Sequence, residues 1–280
     1  MNIHILGHVC IDSNVSEHVS YKGPGSPAMF MAHIYKKFPG VFLHIIAPYG
    51  SNFSPYCKEL NIYPQQPIGD TTLLYENISH GKVRTQKAHH RESAKPPLLI
   101  EELKNILSSA DILFFAPLTP DYSVGYVQTA MQCLRKDCLK IFLPQGYYRS
   151  FDGKDRVTER EFIEASELIP LFDFVIVSEQ DHRNMSNIVK SWAKNIQVIM
   201  TTGDKGAQYF SQDISLTVPA DPVNPKEIVD SVGSGDIFSA SFGYKYYLTK
   251  DVKKSLEFAN NIARQCLFYK ADNLQFTLPE

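Results

Sequence analysis

A regular alternation that sets in near residue 97 most constrains the fold of this chain. Apolar runs of strand length occupy residues 112–115, 141–143, 172–177 and 196–200. Between them lie segments whose apolar residues recur at helical spacing: Leu98, Ile100, Leu103, Ile106 and Leu107, then residues 124–134 and 162–169. A run that is apolar throughout is a strand buried on both faces. Helices alternating with such strands cover the two faces of a parallel sheet. The expected class is therefore α/β, a three-layer α/β/α core around a mostly parallel sheet. Its last helix carries Val252, Leu256, Ala259, Ile262, Ala263, Cys266 and Leu267. A chain of 280 residues can bury a core of that size without a disulfide or metal staple, so a single domain over 1–280 is expected.

The first 90 residues read differently. A strand runs from Ile3 and ends near Asp12, Gly23-Pro24-Gly25-Ser26-Pro27 is a turn cluster, and residues 28–37 form a helix stopped by Pro39-Gly40. Residues 42–47 form a buried strand. Two β-prone runs, 71–75 and 83–87, flank Ser79-His80-Gly81 and predict a hairpin. With residues 13–22, the region 62–90 is expected to form a small β-sheet lid standing off the main body.

Composition excludes several functions. The formal net charge of -2 gives no bulk attraction to nucleic acid or to an anionic membrane. No stretch approaches the ~18 apolar residues of a membrane span, and Met1-Asn2-Ile3-His4 lacks the basic start of a signal peptide. The five cysteines, Cys10, Cys57, Cys133, Cys138 and Cys266, are scattered without a Cys-x-x-Cys pair, which fits reduced thiols in a cytoplasmic protein. Neither a Gly-x-x-x-x-Gly-Lys-Ser/Thr loop nor a Gly-x-Ser-x-Gly elbow occurs. His89-His90 read as lid-loop residues, Arg84, Lys87 and Arg91 as a solvated basic face, and Trp192 as packing.

The chemistry concentrates in Asp230-Ser231-Val232-Gly233-Ser234-Gly235-Asp236, which opens a helix carrying Ile237, Phe238, Ala240 and Phe242. Glycine lets backbone approach a ligand without a Cβ in the way. The first N–H groups of a helix lack internal partners and, with the helix dipole, attract a phosphate. An aspartate there can accept the proton of an attacking hydroxyl. The bland alternative is a turn capped by Asp236. A second glycine-bearing loop, Thr202-Gly203-Asp204-Lys205-Gly206, follows the strand ending at Met200, and strand carboxyl ends are where open α/β sheets bind ligands.

The segment from Asp230 to Ala240 resembles the C-terminal signature of the PfkB, or ribokinase-like, carbohydrate kinases, Asp-Thr-x-Gly-Ala-Gly-Asp-x-Phe-x-Ala. The loop from Thr202 to Ala207 resembles their nucleotide-binding Thr-x-Gly-x-x-Gly stretch. Asp12 after the first strand and Gly25 in the Gly23-Pro24-Gly25 segment match the family's substrate side. The resemblance implies an ATP-dependent phosphotransferase acting on an alcohol group of a small sugar or polyol. Asp236 would be the base, and the amides of Gly233, Ser234, Gly235 and Asp236 the anion hole. Thr202, Gly203 and Gly206 would line the ATP site, and Mg²⁺ would arrive with ATP. Asp230 would help place a monovalent cation such as K⁺. Gln145-Gly146-Tyr147-Tyr148-Arg149 resembles a Gln-Gly-x-x-Arg stretch of a branch containing myo-inositol kinases, as do Thr71-Thr72-x-x-Tyr75 and Gly81-Lys82-Val83-Arg84. It implies that Gln145 and Arg149 bind substrate.

Two positions depart from the family pattern. Met29 stands where an Asn follows the family's Gly-Gly turn. Ser178-Glu179-Gln180-Asp181 replaces its Asn-x-x-Glu, so Asp181, with Glu179 as fallback, would meet the metal through water. A nucleoside kinase of the same family and a non-catalytic nucleotide- or sugar-binding protein of the same fold are the alternatives. A homodimer through the edge of the lid sheet is a further expectation.

Overall fold

Strand residues alternate between two cores, and that alternation sets the layers. Ile3, Ile5, Ile45, Ile112, Phe114, Ile141, Phe174, Ile176 and Ile199 enter one core, while Leu6, Ile46, Leu113, Phe115, Phe142, Val175, Val177, Val198 and Met200 enter the other. Successive side chains of a strand point to opposite faces, so each run must be apolar at every position. The computed structural model describes residues 1–15, 20–80, 83–212, 214–270 and 273–278. Its elements are β1 (Asn2–Gly7), β2 (Cys10–Val15), β3 (Ser20–Gly25), α1 (Pro27–Tyr35), β4 (Phe42–Ile46), β5 (Ile62–Tyr63), β6 (Leu74–His80) and β7 (Val83–His89). Then come α2 (Ile100–Leu107), β8 (Ile112–Ala116), α3 (Val124–Gln132), β9 (Leu139–Phe142), β10 (Arg149–Phe151), β11 (Val157–Glu159) and α4 (Ala165–Leu168). β12 (Phe174–Ser178), α5 (Met185–Trp192), β13 (Gln197–Thr201), β14 (Ala207–Ser211), β15 (Ile214–Val218), α6 (Ser234–Thr249) and α7 (Val252–Cys266) complete the chain.

The large sheet has the order β15-β14-β13-β12-β9-β8-β1-β4-β5. It is parallel from β5 to β13, and β14 and β15 add antiparallel. Residues of α1, α6 and α7 fill the first core, and residues of α2, α3, α4 and α5 the second. This is the expected three-layer fold. Among the described residues no helix is long and apolar enough to cross a membrane.

A second sheet, in the order β3-β2-β6-β7, stands on the carboxyl end of β1. It corrects two readings. The first strand does not continue to Asp12: the chain leaves the large sheet after Gly7 and re-enters the small one at Cys10, so Asp12 belongs to β2. Gly23-Pro24-Gly25 is not a turn but the end of β3, paired antiparallel with β2. An edge strand tolerates proline because its N–H is not needed for a ladder on the open side. The hairpin is present as β6 and β7, whereas Ile62–Tyr63 pairs with β4 in the large sheet.

The junction of the two sheets is pinned by His8, which is fully buried. Its Nδ1 accepts from the Leu118 N–H at 2.9 Å, and its Nε2 faces the Ala94 carbonyl at 2.8 Å. The ring is therefore neutral with the proton on Nε2. Burial lowers its pKa from 6.5 to about 4. Between those values the unfolded chain binds a proton that the folded chain refuses, so His8 subtracts stability as pH falls from 6.5 to 4. The full titration costs roughly 3 kcal/mol. His8→Gln keeps one acceptor and one donor without a titratable group. Thermal melts between pH 7.5 and 4.5 are expected to fall less steeply for it than for the parent, and parallel curves would contradict the assignment.

Candidate active site

A pocket opens where the parallel strands end. It is lined by Pro117 after β8, Leu143 and Gln145 after β9, Ile176, Val177, Ser178 and Asp181 at the end of β12, and Thr201 at the end of β13. Pro27 of α1 and Gly235, Asp236 and Ser239 of α6 close it from the other side. Carboxyl ends of parallel strands form a crevice for ligands because the crossover connections leave it open.

α6 starts at Ser234, after Gly233 in the left-handed region at φ 77°. A Cβ there would overlap the ring of Phe30, so glycine is needed for space as well as for conformation. Asp236 is therefore a first-turn residue of the helix and not its N-cap. The Ser234 N–H donates to Ser231 O at 3.2 Å, while the amides of Gly235 and Asp236 have no intrahelical partner. The Asp230 carboxylate accepts from the Val232 N–H at 2.9 Å and shapes the loop that delivers this turn.

Burial raises the pKa of Asp236 from 3.8 to about 7, with Arg149 opposing and Asp181 and Asp12 adding to the rise. Four charged groups thus share one field: three carboxylates and one guanidinium. Asp181 is also raised by burial, against the Ser178 N–H that it accepts at 2.8 Å, Arg149, and a hydrogen bond from Gln145. Asp12 is buried on β2, and a Cβ on Gly25 of the neighbouring strand would overlap its carboxyl. Arg149 donates to Leu118 O at 3.3 Å and lies 5.0 Å over the ring of Tyr75, whose hydroxyl donates to the same carbonyl at 2.8 Å.

The remaining sequence candidates separate. Thr202 is buried and donates to Gly206 O at 3.1 Å, closing a tight loop in which Gly203 and Gly206 both have positive φ. That loop adjoins Thr201 of the pocket. Glu179 is exposed and absent from the pocket lining, and its N–H donates to Thr201 O at 2.9 Å. Met29 is buried in the first core. The side chain of Arg84 lies outside the described residues; Lys87 pairs loosely with Glu76 at 3.5 Å and Arg91 with Asp155 at 3.2 Å. Trp192 packs edge-on against Phe162, as expected of a packing residue. Sequence reasoning missed Ser178, Thr201, Ser239 and Pro117 as pocket-lining residues. Only Ser178 and Thr201 carried a signal, through their places at strand ends.

A model of the pfkB family carbohydrate kinases matches residues 83–275, more than half of the chain, and the protein belongs to that family. Among curated proteins it is 34% identical over 67 residues to ribokinase of Bacillus subtilis, covering 24% of this chain and 22% of that protein. It is 28% identical over 93 residues to cytidine kinase of Thermococcus kodakarensis, covering 33% of each. The chain thus spans about a fifth to a third of these relatives. Solved structures align over almost the whole chain. One is Arabidopsis thaliana ribokinase complexed with ribose and ATP, with TM-score 0.71, 15% identity and coverage of 96% and 93%. Another is a pyrophosphate-dependent myo-inositol-1 kinase converted to a myo-inositol-3 kinase, with TM-score 0.73, 14% identity and coverage of 95% and 93%.

Proposed function

We propose that this protein transfers a phosphoryl group from ATP to a hydroxyl of a small sugar or polyol. The observation that carries the reading is Asp236, a carboxyl raised to about 7 in the first turn of α6 and sharing its field with Asp12 and Arg149. A base near neutrality can take the hydroxyl proton and still be ionised at working pH. The amides of the first turn, chiefly those of Gly235 and Asp236, stabilise charge on the transferring phosphoryl. Asp12 accepts hydrogen bonds from acceptor hydroxyls, and Gln145 and Arg149 extend that surface. The Thr202–Gly206 loop holds the nucleotide.

Among the described residues no cluster of His, Cys, Asp or Glu could cage a metal. Mg²⁺ keeps most of its waters and is held mainly by phosphates, and Asp181 would be the carboxylate that meets such a hydrated ion. Mg²⁺ would supply charge neutralisation to the phosphates. Asp230 is the residue for a K⁺ ion beside the cradle. The small sheet serves as a lid that excludes water as a competing acceptor, and its edge strand β3 offers a second copy a place to pair.

The test is a matrix of donors, ATP and pyrophosphate, against acceptors, namely aldoses, cyclitols, linear polyols and nucleosides. Phosphorylated product with ATP and a sugar or polyol is expected. Product only with a nucleoside would select the nucleoside-kinase reading, and no product from any pair would leave a non-catalytic binding protein.

A further inference from the structure

The hairpin that carries Arg149 is fastened to the small sheet. Arg149 opens β10, which pairs antiparallel with β11, Arg149 opposite Glu159 and Phe151 opposite Val157. Its tip meets the outer edge of β7: the Ala88 N–H donates to Asp155 O at 2.9 Å, and Lys87 and Arg156 form an antiparallel bridge. The small sheet therefore continues beyond β7 into a segment that follows a strand of the large sheet. The tip itself is preset. Asp152 Oδ1 accepts from the N–H groups of Lys154 and Arg156 at 2.8 and 2.9 Å, and the Asp155 N–H donates to Asp152 O at 3.0 Å. Asp155 stands in the left-handed region at φ 60°, which glycine would adopt without a steric cost. The side chain kept there is in use. Its carboxylate meets Arg91 Nη2 at 3.2 Å and lies 3.7 Å from Nδ1 of His89, the last residue of β7.

Magnitudes decide which of these contacts holds the hairpin. The Asp155 side chain is 45% exposed, and an ion pair in contact with water contributes little. The apolar seat weighs more. Phe151 and Val157 pack against a buried cluster that includes Tyr75 of β6 and Ala88 of β7, and the Arg91 guanidinium covers the Phe151 ring at 4.7 Å. Residues two apart on a strand share a face, so Phe151 and Arg149 point the same way. Both reach Tyr75: Phe151 through the cluster, and Arg149 by lying 5.0 Å over its ring. Arg149 is also the cation that acts on both Asp236 and Asp181.

We infer that Phe151 is a positioning residue for Arg149, with Asp155 and Arg91 pinning the hairpin tip: the hairpin belongs to the small sheet, and the seat of Phe151 sets where the guanidinium stands relative to Asp236 and Asp181. The charged group at the site is thus assembled from two supports. Asp236 on α6 and Asp181 after β12 are held by the large sheet, whereas Arg149 is held by the small one. A displacement of the small sheet carries Arg149 with it and takes the cation away from the two carboxylates. The kinetic half of the inference rests on the proposed kinase reading; the seating of Arg149 does not.

The experiment compares Phe151→Ser and Phe151→Leu with the parent. The first readout is NMR of the guanidinium protons in protein labelled with ¹⁵N-arginine, the Arg149 signal being identified by its loss in Arg149→Lys. Protons over an aromatic face are shifted upfield by its ring current. The Arg149 signal is expected to leave its upfield position in Phe151→Ser and to keep it in Phe151→Leu. An unmoved signal in folded Phe151→Ser would overturn the inference. The second readout is acceptor kcat/KM, expected to fall roughly tenfold in Phe151→Ser and by less than about threefold in Phe151→Leu. In an Arg149→Ala background, Phe151→Ser should change kcat/KM by less than about twofold, because nothing is left to position. An unchanged kcat/KM in Phe151→Ser alone, or a full loss in the Arg149→Ala background, would also overturn it. If thermal melts show that Phe151→Ser does not fold, Arg91→Gln combined with Asp155→Asn takes its place, since Asn tolerates the left-handed conformation, and the Arg149 signal is read in the same way. If the parent transfers no phosphoryl group, the kinase reading fails on its own, and the Arg149 signal alone decides whether Phe151 seats it.

Discussion

Asp236→Asn is expected to lower kcat by about a thousandfold while leaving ATP affinity within a few-fold of the parent. General-base catalysis contributes about 10²–10⁴, and Asn is isosteric, so the helix start and its amides stay in place. Steady-state assays with the best acceptor, together with calorimetric titration of ATP, separate the two effects. A kcat within tenfold of the parent would falsify the role of Asp236 as base. The pH profile gives a second reading. The parent's kcat/KM should rise with pH through about 7, where the carboxyl loses its proton, and the variant should lack that limb.

The same substitution should stabilise the fold at alkaline pH. The folded-state pKa of Asp236 lies near 7, against 3.8 for the ordinary carboxyl. Between those values the folded chain holds a proton that the unfolded chain has released, so this group's contribution to stability declines as pH rises from about 4 to 7. Below that window both states are protonated and the group is neutral in its effect. Above it, the full cost of keeping a buried carboxylate is present. Asn removes that cost, and a gain of about 1–3 kcal/mol is expected at pH 8, vanishing near pH 4. An active-site residue whose removal stabilises the protein is the usual mark of a group held for function.

How much of this was legible in the sequence depends on what each residue needed from distant parts of the chain. The parallel strands were legible because both of their faces are buried, which forces runs such as Ile112-Leu113-Phe114-Phe115. β14 and β15 were not, because they form the half-exposed edge of the sheet and Ile214, Ser215 and Thr217 are exposed. The far end of β3 was hidden by its own composition, since Gly23, Pro24 and Gly25 signal a turn unless an edge strand needs them. The break between β1 and β2 falls at His8-Val9, inside a stretch with enough apolar residues on either side to read as one strand. At the site, the Gly233–Asp236 turn was legible because it is local. The grouping of Asp12, Asp181, Arg149 and Asp236 was legible only through the family resemblance, because physically it exists only once distant strand ends and the small sheet meet.

Gly25→Ala is expected to weaken acceptor binding about as much as Asp12→Ala does, although residue 25 carries no functional group. On β3, Gly25 lies beside the carboxyl of Asp12, and the new methyl would occupy the space of the Asp12 oxygens. Backbone cannot yield easily, since Cys10 and Gly25 pair across the ladder, so the carboxyl must swing out of the face it shares with Tyr75. Asp12 in its native rotamer would accept substrate hydroxyls as charge-assisted hydrogen bonds of about 1.5–3 kcal/mol each, and displacing it should raise acceptor KM by roughly tenfold to a hundredfold. The deciding measurement is a double-mutant cycle. If Gly25 acts only by seating Asp12, adding Gly25→Ala to Asp12→Ala should change acceptor KM by less than about twofold, because nothing is left to displace. Full additivity would mean that Gly25 contacts substrate through its own backbone, and the seat would have to be abandoned as the explanation.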